Sequence, residues 1–135
     1  MEYRVYGQDV VVRMDRGEEI LDCIRQVCEK EHILLAFGEV TLGVFNREKF
    51  IYEKRDYTGD MEIASCSGNI STMKGKNYLH IHMVVGNVTR DFCCGGHLNR
   101  AVISLTGEFV IHKIAGEVDR AYSSEIGLNL YRFVD

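Results

Sequence analysis

The sequence predicts an α+β fold, a mainly antiparallel β-sheet with one principal helix packed on it. Three observations carry this. Residues 17–31 are the one stretch whose apolar positions recur at helical spacing. From residue 33 onward the chain breaks into short strand-like runs punctuated by Gly, Asn, Asp and Ser. And 135 residues, 15.4 kDa, leave room for one core, so a single domain over about residues 3–134 is expected.

In chain order, Val10, Val12 and Met14 alternate with Val11 and Arg13, the period of a strand with one buried face. Asp15-Arg16-Gly17 ends it. In the helix that follows, Ile20, Leu21, Ile24, Val27 and Cys28 form one stripe, and Glu18, Asp22, Arg25, Gln26 and Glu29 form the wet side. Glu18 and Glu19 open it, where the helix dipole favours acids. Ile33–Phe37, Glu39–Phe45 and Phe50–Tyr57 read as strands, the last two joined by a hairpin at Asn46-Arg47-Glu48. Met61–Ser67 follows, interrupted by Gly68-Asn69, and Ser71–Asn77 reads as a surface loop. Tyr78–Val85 is a strand, with turns at Gly86-Asn87 and Gly95-Gly96. Ala101–Leu105, Glu108–Ile114 and Leu128–Phe133 complete eight or nine strands, and Tyr122-Ser123-Ser124 resembles a turn. A helix between early strands suggests a split βαβ unit.

Composition excludes several classes. Hydrophobic residues at 46% and charged residues at 27% are those of a soluble globular chain, against disorder or a coiled coil. Sixteen Lys and Arg against twenty Asp and Glu leave a formal charge of −4. The cations are scattered, so charge argues against nucleic acid as a partner. No apolar run approaches a membrane span, and the N-terminal residues lack the pattern of a signal peptide. The odd number of cysteines, five, sits in no regular framework, which points to a reducing cytoplasm.

The segment that could carry chemistry is Leu79-His80-Ile81-His82-Met83 with Gly95-Gly96-His97-Leu98. Side chains two apart on a strand share a face, so His80 and His82 can aim both imidazoles into one site while Leu79, Ile81 and Met83 pack the other side. His97, delivered by a chain reversal at the two glycines, would be the third ligand of a metal. Three neutral imidazoles and a water form an open zinc arrangement whose water ionises near neutral pH. The bland alternative is a half-exposed histidine pair on a strand. Glu108 opens the strand after Thr106-Gly107. It is either a general base at that site or a carboxylate that holds a ligand histidine by a hydrogen bond, or else a surface carboxylate at a strand end. Cys93 and Cys94 offer a thiolate ligand or simply small buried side chains. His32, just past the helix, and His112, on a solvent-alternating strand, read as ordinary. No nucleophile elbow, Walker loop or dinucleotide fingerprint is present.

Taken together, Gly17-Glu18-Glu19-Ile20, Cys66-Ser67-Gly68-Asn69-Ile70, Leu79-His80-Ile81-His82, Gly95-Gly96-His97-Leu98 and Thr106-Gly107-Glu108-Phe109-Val110-Ile111 resemble the Plants-and-Prokaryotes-Conserved (PPC) domain in its stand-alone prokaryotic form. The resemblance runs over roughly residues 3–133. It implies a strongly bent sheet with a helix packed on it and a homotrimer. It also implies metal ligands at His80, His82 and His97, with the Glu108 carboxylate nearby. Plant members carry an AT-hook with an Arg-Gly-Arg-Pro core; this chain has no Pro and no such motif.

The reading that follows is a homotrimeric metal-binding protein. Zinc or another divalent transition metal is the cofactor, because imidazole-rich sites suit zinc better than magnesium or calcium. A small-molecule enzyme using a metal-bound water is one form of it. The alternative is a DNA-binding or regulatory module by analogy with the plant relatives. Ile33–Phe37 and Ala101–Leu105, apolar on both faces, argue separately for burial against another chain.

Overall fold

The computed structural model describes residues 1–33, 36–38, 45–46, 51–52, 54–59 and 61–133. Its centre is a seven-stranded antiparallel sheet. The strands are β1 (Glu2–Tyr6), β2 (Asp9–Asp15), β3 (Ala36–Gly38), β6 (Glu62–Met73), β7 (Lys76–Asn87), β8 (Phe92–His97) and β9 (Thr106–Lys113), in the order β1-β2-β9-β3-β6-β7-β8. Between them in sequence, β4 (Phe45–Asn46) pairs with β5 (Ile51–Tyr52), and after them β10 (Val118–Ser123) pairs with β11 (Leu128–Phe133).

Helix α1 (Ile20–Lys30) starts where the acids of the sequence place it. Glu19 is its N-cap, and one carboxylate oxygen accepts the Asp22 backbone N–H at 2.9 Å. The other accepts the Ala101 N–H at 2.9 Å, so the same side chain anchors a distant loop. The predicted stripe, Ile20, Leu21, Ile24, Val27 and Cys28, is buried in full, and Cys23 is buried beside it. It packs on Val10, Val12 and Met14 of β2, Ile111 of β9, Ile70 of β6, and Ile81 and Met83 of β7. Each such side chain withdrawn from water contributes roughly 1.5–3 kcal/mol before chain entropy is counted. β2 and β3 flank β9 and are antiparallel to it, hence parallel to each other and joined by α1. That is the split βαβ unit.

Several boundaries differ from expectation, each for a physical reason. Gly68-Asn69 does not interrupt a strand, and residues 71–77 are not a loop: β6 and β7 form one long hairpin, closed at Lys74-Gly75, where both residues have positive φ. Gly68 lies opposite Ile81, and a Cβ there would sit 2.0 Å from the His80 carbonyl oxygen and 2.6 Å from Ile81 Cα. The glycine permits an unusually close crossing of the two backbones, and a bulge between Ile63 and Ser65 adds to the bend. Gly86-Asn87 ends β7 rather than turning, and a short 3₁₀ turn over Val88–Arg90 follows it. Gly95-Gly96 is no reversal either. Both residues lie in β8, opposite Val84 and Met83, without positive φ.

Ala101–Leu105 is irregular, touching the helix start through a bridge between Val102 and Glu19. Its Ile103 is buried, while Val102 and Leu105 are exposed. Tyr122 and Ser123 end β10, and the turn comes just after them. Residues 54–57, expected to continue a strand, do not. The expectations for residues 39–44 and 47–50 lie outside the described residues. β1 and β10 carry no clean alternation, and they form because a neighbouring strand supplies the partner.

Candidate metal centre

The strand period decides which way each imidazole faces. Leu79, Ile81 and Met83 of β7 pack toward α1, so Tyr78, His80, His82 and Val84 occupy the opposite face. β8 brings the third histidine by pairing: His97 stands directly across from His82. The rings pack at centroid separations of 4.8 Å (His80–His82) and 5.3 Å (each to His97). One ring nitrogen from each lies within 4.8 Å of the others. A tetrahedral ion with bonds of about 2.0–2.1 Å needs ligand nitrogens roughly 3.4 Å apart, a change within reach of small ring rotations.

Electrostatics favour the ligating form. Burial, then the neighbouring His82, His97 and Arg120, push the His80 imidazole down to about 4. Burial also lowers His82, and burial with His82 lowers His97. Near neutral pH the three rings are therefore uncharged with lone pairs to offer. All three are half-buried, so a fourth ligand could approach from solvent.

The other sequence candidates fall elsewhere. Glu108 is exposed on β9, opposite Arg13. It lies three strands from β7 and four residues along from His112, whose row continues through Phe37 and Asn69 to His80. Strand spacings put it on the order of 20 Å from the histidines, so the structure does not bring it into their reach. Cys93 shares the face of His97 but sits four residues up the strand, and Cys94 faces the other way. His112 bonds the Asp9 carboxylate at 2.7 Å, on the surface.

What sequence reasoning missed is the wall beside His80. The β10–β11 hairpin folds over this face and inserts Arg120, which is buried. Its Nε donates to Ser71 Oγ, Nη1 to the Asn129 carbonyl and Nη2 to Asn69 Oδ1, each at 2.8 Å. The guanidinium is sandwiched between the rings of Tyr78 and Tyr131, 4.7 and 4.5 Å from their centroids. Tyr78 was legible, two residues before His80 on the same strand face. Arg120 was not, because nothing local marks β10 as the strand that crosses over the site.

The sequence model of the Plants and Prokaryotes Conserved (PCC) domain matches residues 1–115. No curated protein matches the chain. Among solved structures, a protein of Bacteroides thetaiotaomicron provisionally named as DNA-binding is 32% identical, with a TM-score of 0.86, covering 98% of this chain and 96% of that one. A metal-containing protein of Archaeoglobus fulgidus is 30% identical, with a TM-score of 0.81 and coverages of 98% and 97%. A plant- and prokaryote-conserved protein of Pyrococcus horikoshii is 27% identical, with a TM-score of 0.76 and coverages of 99% and 96%.

Proposed function

Because the chain belongs to the Plants and Prokaryotes Conserved domain family, we propose that it is a metal-binding member, a homotrimer that holds zinc on His80, His82 and His97. The observation that carries this reading is the convergence of three neutral imidazole nitrogens within 4.8 Å on one sheet face. The metal-containing relative from Archaeoglobus supports it. No carboxylate joins the cluster among the described residues, and an all-imidazole donor set favours zinc over magnesium or calcium. Bound there, zinc would supply a Lewis acid with one position open to a small-molecule ligand. The chain's own part is to hold the rings neutral by burial, orient two of them by strand period, and bring the third by the β7–β8 register.

For the trimer, the support is exposed apolar surface away from the helix. Val11 and Val110 project from the sheet face opposite α1, and Tyr122, Leu128, Leu130 and Phe133 from the terminal hairpin. We also assign the protein to the cytoplasm, where its five free thiols would stay reduced. No described helix is long and apolar enough to cross a membrane.

Metal analysis of untagged protein tests the central claim. One zinc per chain is expected, lost in a His80→Ala/His82→Ala double variant that keeps its far-ultraviolet spectrum. Protein that stays metal-free in micromolar zinc sinks the reading. Nucleic-acid binding is the competing reading, supported by the provisional name of the Bacteroides relative. A gel shift with random-sequence duplex at about 150 mM salt separates the two: a chain of charge −4 is expected to show no submicromolar binding.

A further inference from the structure

Arg120 is a buried cation. Among the described residues no carboxylate lies within ion-pair distance of it, and its recorded partners are a hydroxyl, an amide oxygen, a backbone carbonyl and two aromatic faces. Its sequence neighbour Asp119 turns the other way, to Arg132 and Thr72. Those contacts use three of the five guanidinium N–H groups, leaving two. Hydrogen bonding and the tyrosine rings offset part of the cost of burying the charge, but they do not cancel it. Pinning the hairpin accounts for three N–H groups and the stacking on the two rings, but it leaves two N–H groups and a positive charge beside the histidine cluster.

Its position gives that charge a use. Asn69, which holds Nη2, is the direct cross-strand partner of His80, and Tyr78, under the guanidinium, precedes His80 by two residues on the same face. The fork therefore sits one strand step from the histidine cluster, roughly 6–8 Å from where the imidazoles converge. An oxyanion with one oxygen on a metal at about 2.0–2.2 Å and another on an arginine N–H at about 2.8 Å spans roughly that gap.

We propose that Arg120 is the anion anchor of the histidine site, and that the small molecule the site takes carries an oxyanion, a carboxylate or a phosphate, that reaches from the metal to the guanidinium. The proposal rests on the metal-binding reading above for the other end of that bridge. Arg120 is a positioning group for the ligand here. It also pins β10–β11, so occupancy of the site and seating of the hairpin are coupled through one side chain.

Isothermal titration of the full chain, loaded with one zinc, against inorganic phosphate and in a second arm against acetate, tests this. The tighter of the two identifies the headgroup. Arg120→Gln is expected to weaken the preferred anion by at least tenfold while zinc affinity changes less than threefold. Asn69→Asp guards against a variant that fails to fold, because it keeps an oxygen acceptor for Nη2 and supplies a counter-charge in place. It is expected to hold the hairpin and still lose at least tenfold in anion affinity. Zinc-loaded wild type that binds neither anion at millimolar concentration overturns the anchor, as does unchanged anion affinity in both variants, and either result leaves the metal reading standing. If wild type takes up no zinc, the metal reading fails by itself. The anchor then survives only if metal-free protein binds an anion in an Arg120-dependent way, and it falls with the metal reading otherwise.

Discussion

Acidifying the metal-free protein should destabilise it through His80, and the sign follows from where the ring sits. In the unfolded chain His80 takes up a proton near its ordinary 6.5; in the fold, burial and the nearby His82, His97 and Arg120 hold protonation off until about 4. Between those values the unfolded chain binds more protons, so stability present above pH 6.5 is lost as pH falls toward 4. At about 1.4 kcal/mol per pH unit the gap sets a ceiling of ~3 kcal/mol. The cluster is half-open to water, and screening reduces this to about 1–2 kcal/mol. For a chain of this size that is a fall in Tm of roughly 3–8 °C beyond the change from carboxylates. Thermal melts with chelator present, from pH 4 to 7.5, read it directly. His80→Gln, which keeps a polar side chain but cannot take the proton, should flatten the curve by that amount. If wild type and His80→Gln show the same slope, the buried-imidazole account is wrong.

Other outcomes follow from neighbouring features. Zinc occupancy should fall on acidification as ligand protons compete with the ion. Because burial lowers all three imidazoles, the loss should begin at lower pH than unperturbed histidines near 6.5 would show. His82→Ala should abolish tight binding, whereas replacing the surface His112 should move the pH midpoint by no more than a few tenths of a unit; equal losses in competition titrations would mean the site lies elsewhere. Gly68→Ala should cost about 2–4 kcal/mol in urea unfolding, because the new Cβ meets the β7 backbone rather than a side chain that can swing away. A cost below ~0.5 kcal/mol would show that the hairpin relaxes freely. Thiol labelling should be split: Cys93 is exposed and should react at once, while Cys28, buried and with its thiol pushed up to about 12, should wait for unfolding. Light scattering at micromolar concentration should return about three times the 15.4 kDa chain mass, and a monomer there would refute the trimer.

The legible parts of this molecule are those encoded within a few residues. Helix α1 announced itself through a stripe and an acidic start, β2 through strict alternation, and the shared face of His80 and His82 through a spacing of two. Local periodicity reports which side of an element is buried, and that much survives any tertiary arrangement. It was blind to partners. Gly95 and Gly96 read as a turn because glycine in isolation favours one, yet pairing with β7 holds them extended and sets His97 across from His82. Gly68 read as a break, when its missing side chain is what allows two backbones to cross closely. Glu108 looked like a companion of the histidines, but three intervening strand steps carry it away. Arg120 looked like one surface cation among sixteen until the terminal hairpin folded over the sheet and buried it beside His80. Spacing along the chain could place two imidazoles on one face; the third, and the charge beside them, depended on strand register and on which hairpin lies over which sheet. Those are properties of contacts between residues far apart in sequence, and no local pattern contains them.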